Sequence, residues 1–196
     1  MTARMTITRR IMLAGGLALA LSLAATLPGA SASGAAEEGE NTIVLTTKYG
    51  RTIIKLRPDL APGHVARIKK LTREKFYDGL KFHRVMEGFM AQTGDPRGNG
   101  TGGSKYPDLP AEFSRAPFKR GTLGMARSAD PNSANSQFFI VFARAAHLDG
   151  QYTLVGEIVS GMEFIDQLRT GPESRNGMVD NPDVIETMRL AKGAKK

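Results

Sequence analysis

A mainly β protein, built as a closed eight-stranded antiparallel barrel capped by two α-helices, is the fold class predicted by three features of this 196-residue chain. Two stretches, FHRVMEGFMAQTGD at 82–95 and QFFIVF at 137–142, alternate so that each offers two usable faces, as a strand does. The 22 glycines and 10 prolines supply many turns. Only two segments have helical spacing, and they do not alternate with strands as βαβ units would. Closure removes the sheet edges, and helices at the two barrel ends would cover its apolar filling.

Residues 1–32 read as a secretory signal peptide. Arg4, Arg9 and Arg10 precede an uncharged run over 11–27, and Ala30-Ser31-Ala32 is a small-residue cleavage pattern. Export to a periplasm through the general or the twin-arginine route, with a mature chain from Ser33, is the expectation. A retained N-terminal anchor is the alternative. Residues 33–40, SGAAEEGE, form a flexible linker, and 192–196 a basic tail. The single domain between them spans 41–191. Net charge is +8, but without the three signal arginines 24 basic face 19 acidic residues, or +5. No aromatic-basic stripe accompanies that excess, so no nucleic-acid partner is expected, nor a membrane once the signal is cut. With no cysteine, disulfides and thiol chemistry are excluded.

Along the domain, β-branched runs at 41–48 and 51–57 flank Tyr49-Gly50 as a hairpin. Pro62 suits the first position of a helix whose Val65, Ile68 and Leu71 share a face, ending near Tyr77-Asp78-Gly79. The central strand follows, with Phe82, Arg84, Met90 and Gln92 on one parity if the Glu87-Gly88 break keeps register. Residues 95–120 are a long loop, 121–127 a short strand and 129–135 a polar turn. In the strand at 137–142, Gln137, Phe139 and Val141 oppose Phe138, Ile140 and Phe142. A tight turn at 145–150, a strand at 152–159, a helix at 161–170, a Gly/Pro/Asn-rich loop at 171–182 and a strand at 184–190 complete the set.

Arg84 stands out, because a lone guanidinium beside Met90, Gln92 and Phe139 is not a core pattern; an unpaired buried charge is very costly. Other tempting motifs fail on context. Gly98 to Gly103 matches G-x-G-x-x-G, yet Pro107 and Pro110 forbid the helix that a dinucleotide fingerprint requires. The glycines instead allow tight turns and close backbone approach. His64, His83 and His147 are isolated and lack metal-ligand spacing, and a hydrogen-bonded structural role is expected of His83. No cofactor and no metal are expected.

FHRVMEGFMAQTGD, then NGTGG at 99–103, GTLGMA at 121–126, SQFFI at 136–140 and LDG at 148–150 resemble, in order and spacing, the cyclophilin family of peptidyl-prolyl cis/trans isomerases, over about 41–190. The resemblance implies a barrel with its substrate groove on the outer wall, Arg84 as the catalytic residue, and a proline slot of Phe89, Met90, Phe139 and Leu148. It also implies that Gln92 and Gln137 hold the substrate backbone and Arg84, that Gly100 and Ala126 lie beside the peptide, and that Arg127, His147 and Tyr152 complete the site. Arg127 stands where an asparagine is often found. His147 replaces the tryptophan of cyclosporin-sensitive members, so weak cyclosporin binding is expected. The expected function is isomerisation of X-Pro bonds in extended or unfolded exported polypeptides, by a monomer. The alternative is a peptide-binding holdase on the same fold, without required turnover.

Overall fold

The structure, a computed structural model, describes residues 39–191. The expected signal, its cleavage site, the linker through 38 and the basic tail at 192–196 lie outside the described residues. Eight strands form one antiparallel sheet: β1 Thr42–Thr47, β2 Gly50–Leu56, β3 Arg84–Met86, β4 Met90–Thr93, β5 Thr122–Met125, β6 Phe138–Val141, β7 Leu154–Ser160 and β8 Thr187–Leu190. Two helices lie wholly within the described residues, α1 Pro62–Arg73 and α2 Met162–Ile165, and residues 39–40, expected as the end of a flexible linker, are also helical.

The strand order is β3-β4-β6-β5-β7-β2-β1-β8, so β3 and β8 are edges and the sheet is open, against the expected closure. The seam carries isolated bridges, Lys81 with Val184 and Arg84 with Met178, and scattered backbone hydrogen bonds such as Phe82 N–H to Asp183 O and Val85 N–H to Gly177 O, each at 2.8 Å. The physical reason lies between α2 and β8. There the chain runs through a short 3-10 turn at Glu173–Arg175, a left-handed Asn176 and Pro182, and cannot hold a continuous ladder.

Elements differ from their expected bounds where local chemistry ends them. α1 stops at Arg73, a turn earlier than expected. Lys75 takes the left-handed conformation, its N–H reaching Thr72 O at 3.1 Å and that of Phe76 reaching Leu71 O at 3.0 Å, a Schellman closure. Gly79, also left-handed, serves a later turn. The helix expected over 161–170 is the short α2. The expected strand at 82–95 is a hairpin: the Glu87-Gly88 break reverses the chain with Gly88 left-handed, and Arg84 pairs across to Gln92 and Met86 to Met90. Phe82 precedes the ladder and is buried in the interior core, so it does not share the face of Arg84.

The alternation in β4, β5 and β6 sorts side chains between two apolar clusters. Ala91, Leu123, Met125, Phe138 and Ile140 enter the main core with Ile43, Leu45, Ile54 and Val155. α1 contributes Val65, Ile68 and Leu71 to that core, and α2 contributes Ile165. The opposite face supplies Met90, Phe139 and Val141 to a smaller cluster with Phe118, Ala145, Leu148 and Leu154. The predicted parity of 137–142 is thus realised, with Phe138 inward and Phe139 outward.

Three carboxylates tie loops to this frame. Asp183 accepts from Lys48 Nζ at 2.7 Å and from the Arg169 amide at 2.8 Å. Glu112 accepts from the Gly63 and His64 amides at the start of α1, each at 3.0 Å, and its Oε2 lies 2.6 Å from His64 Nδ1. Asp95 accepts from the amides of Arg97, Asn99 and Gly100 at 2.8, 3.0 and 2.6 Å. Burial alone would raise all three carboxyls, but these donors outweigh it and hold each below its ordinary range. A lowered folded pKa contributes stability that is complete above the unfolded value, about 3.9–4.3, and is lost as pH falls through the folded values. The share of the melting temperature that these carboxylates supply should therefore be level from about pH 7 to 5 and be lost below about pH 4, and Asp183→Asn should lower the melting temperature at neutral pH and flatten that acid limb. A separate decline beginning at about pH 6 belongs to buried His83, whose lowered pKa disfavours the charged ring, and should survive Asp183→Asn.

Candidate active site

On the outer face of β4, β5 and β6 lies a hollow of about 230 Å³ lined by Arg84, Phe89, Met90, Gln92, Ala126, Arg127, Phe139, His147, Leu148 and Tyr152. A larger polar hollow, about 540 Å³, adjoins it through Gln92, Ala126 and Arg127 and adds Gly100, Asp108 and Gln137 among its walls. All the site residues expected from sequence therefore line one or both hollows.

Arg84 starts β3 and projects outward because Val85 points into the main core. Its Nε donates to Asn176 O at 2.9 Å. Its Nη2 donates to Asn176 Oδ1 at 2.8 Å and lies 3.2 Å from Met86 Sδ, and its Nη1 donates to Gln92 Oε1 at 3.2 Å. A guanidinium has five N–H donors; one on Nη1 has no acceptor among the described residues. Partial burial lowers the guanidinium pKa, the Tyr152 side chain opposing the shift. No carboxylate pairs with Arg84 among the described residues.

The fixing of Arg84 continues outward. Gln92 Nε2 donates to Gln137 Oε1 at 2.9 Å, and Gln137 Nε2 donates to Gly102 O at 2.8 Å and Gly100 O at 3.1 Å. That glycine loop is itself wrapped around Asp95, and a Cβ on Gly102 would run into Asp95 Oδ1. Close backbone approach is thus what the run at 98–103 requires. A chain of donors from a rigid loop through two amides to a guanidinium holds the charged head before any substrate arrives.

The apolar part is built of rings. Phe139 stacks on Phe118 with centroids 5.9 Å apart and meets Tyr152 edge-on at 5.6 Å. Gly124 makes room for this pair: a Cβ there would lie 2.5 Å from Phe139 Cζ and 2.6 Å from Phe118 Cε1. Leu148 enters from the 3-10 turn Ala146–Leu148, and His147, on the same turn, lies 5.4 Å from the Phe89 ring. Asp149 anchors that turn by accepting from the Phe118 amide at 2.8 Å and pairing with Arg144.

His83 departs from expectation. It is buried, and neither ring nitrogen makes a well-formed hydrogen bond, although the Lys81 backbone lies close enough to favour its proton. Burial lowers its pKa, so the neutral ring is favoured.

Sequence reasoning missed Asn176, Phe118 and Gly124. Asn176-Gly177 is a turn signal, but nothing in it points to a residue 92 positions away. Gly124 sits inside a strand, where a glycine marks close approach by another group.

Residues 42–190 match the family profile described as cyclophilin type peptidyl-prolyl cis-trans isomerase/CLD. The chain is 55% identical over 187 residues to the "Probable peptidyl-prolyl cis-trans isomerase" of Brucella suis, covering 90% of this chain and 93% of that one. Among solved structures it resembles cyclophilin AquaCyp293 from Hirschia baltica, with TM-score 0.70, 26% identity, and 78% and 74% of the two chains covered. The fold is also that of a Cryptosporidium parvum cyclophilin type isomerase determined in the presence of the dipeptide ala-pro, with TM-score 0.71, 24% identity, and 77% and 99% covered.

Proposed function

The chain belongs to the cyclophilin family and is a peptidyl-prolyl cis-trans isomerase; from that premise we propose that Arg84 is its catalytic residue, acting on proline-containing segments of extended or unfolded exported polypeptides. The observation that carries this is the guanidinium held by Asn176 and Gln92 beside an apolar slot, with one Nη1 N–H left over.

The X-Pro amide resists rotation by about 18–20 kcal/mol because resonance gives its C–N bond double-bond character. At the twisted transition state the prolyl nitrogen becomes pyramidal and regains its lone pair. A donor aimed at that lone pair binds the twisted form better than the planar one, and only such differential binding speeds the step. Phe89, Met90, Phe139 and Leu148 hold the proline ring. Gln92 and Gln137 position the guanidinium and the peptide backbone, while Gly100 and Ala126 flank the chain. No bond is made or broken and no proton changes hands, so the reaction requires no acid or base from buried His83. Acceleration of cis-to-trans conversion of an Ala-Pro peptide by the purified mature chain tests this reading; spontaneous rates with folded protein present would sink it and favour a holdase.

Export to the periplasm, before action as a monomer there, is part of the same proposal. It rests on the basic start, the uncharged run and Ala30-Ser31-Ala32. N-terminal sequencing of protein from the producing cell should read from Ser33. An intact Met1 on membrane-held protein would establish the anchor instead.

Cyclosporin should bind weakly, because an imidazole at 147 offers less apolar surface than an indole and no equivalent N–H placement. His147→Trp should tighten inhibition. Inhibition of the native protein at nanomolar drug would defeat the argument from this position.

A further inference from the structure

Arg127 lines both hollows, at the junction between the apolar slot and the polar one. Its guanidinium carbon lies 4.5 Å from the Tyr152 ring centroid and 6.0 Å from that of Phe113, an exposed ring for which the reaction has no other use. Nη1 donates to Ser128 O at 2.9 Å and to Ala129 O at 3.4 Å, and Nη2 to Gln151 O at 3.1 Å. Nε is shielded from solvent and has no partner. Every one of these neighbours is neutral. Arg57, Arg120, Arg144, Arg175 and Arg189 each pair with an aspartate, whereas Arg127 pairs with no carboxylate among the described residues. The acidic side chain on the wall of the polar hollow, Asp108, is held by Asn135 Nδ2 at 2.8 Å.

We propose that Arg127 makes this groove selective for prolyl peptides that carry a carboxylate side chain within two residues of the proline. The inference rests on the isomerase reading and names the substrate class of the same site. Rings and carbonyls hold the guanidinium in place, so docking a carboxylate orders little that is still mobile. The charge is uncompensated, and Nη2 keeps one N–H beyond its bond to Gln151 O, a charge-assisted donor for a carboxylate oxygen. An extended peptide advances about 3.3 Å per residue, so a chain running from the apolar slot into the polar hollow passes Arg127 within one or two residues of its proline. Selection is made in binding, through KM, because Arg127 does not act on the rotating bond.

The test walks glutamate, against isosteric glutamine and against lysine, through the two positions on each side of the proline in a short peptide, measuring kcat and KM. At one position the wild type should prefer glutamate over glutamine by about three- to tenfold in kcat/KM, as expected of a partly exposed ion pair. The preference should lie in KM and shrink with added salt. Arg127→Gln should bring the ratio close to one, and Arg127→Glu should turn the preference toward lysine, with circular dichroism melts confirming that each variant is folded. Equal wild-type rates for glutamate and glutamine peptides, or a preference that survives Arg127→Gln, overturns this inference and leaves the isomerase reading standing. A wild type that accelerates none of the peptides overturns both.

Discussion

Arg84→Ala is expected to lower kcat/KM by about two to three orders of magnitude, the loss that follows removal of one preorganised charge-stabilising donor. The melting temperature should change little. The head group lies in the groove, its partners are Asn176, Gln92 and Met86, and neighbouring Val85 supplies the core contact. Arg84→Lys should recover little, since an ammonium keeps the charge but lacks the fork that meets Asn176 and Gln92 together and still offers a further N–H. The measurement is a peptide isomerisation assay with melts alongside. Near-normal activity in Arg84→Ala would falsify the catalytic role. Lost activity with a collapsed melting transition would make Arg84 a structural residue, and the holdase reading would then gain.

The sequence made the site legible wherever residue type and strand parity carried the information. An arginine among apolar positions, glutamines at 92 and 137, and aromatic alternation at 137–142 all pointed to one wall, and they line adjoining hollows there. What could not be read was long-range geometry. Parity placed Phe82 with Arg84, but periodicity holds only inside a ladder, and β3 begins after Phe82. The hairpin at Glu87-Gly88 brings Arg84 opposite Gln92 across strands; counting along one strand arrived at the same pairing by a wrong path. Sheet closure failed for a related reason. The expected total of eight strands was right, although seven were named singly and the eighth came from the hairpin within 82–95; whether β3 and β8 meet depends on the backbone of the segment between α2 and β8, which composition described only as a loop. Asn176 comes from that segment, so the piece least visible in the sequence is the one that orients the guanidinium.

Phe138 and Phe139 are adjacent in sequence and face opposite ways, which separates packing from binding in a single pair of variants. Phe138 is fully buried in the main core, edge-on to Tyr77 at 5.5 Å. Phe138→Ala should cost about 3–5 kcal/mol of stability, as large-to-small changes of a buried phenylalanine do. For a domain of this size that is a fall of roughly 10 °C or more in Tm. Its folded molecules should keep kcat/KM within about threefold, a shift of less than 1 kcal/mol, because the groove lies on the other face of β6. Phe139 belongs to the outer cluster and forms the slot wall with Tyr152. Phe139→Ala should cost less stability, since one side of the ring faces the hollow. It should remove about 2 kcal/mol of apolar contact with the proline ring, or roughly thirtyfold in kcat/KM. Part of that loss should appear as a raised KM, because the slot holds the planar and twisted forms alike, and part as a lowered kcat, because a loosely held ring no longer keeps its nitrogen at Arg84. Assays below both melting transitions distinguish the cases. Equal losses of activity in the two variants, with both still folded, would mean that β6 acts as one packed unit and that the assignment of Phe139 to the slot is wrong.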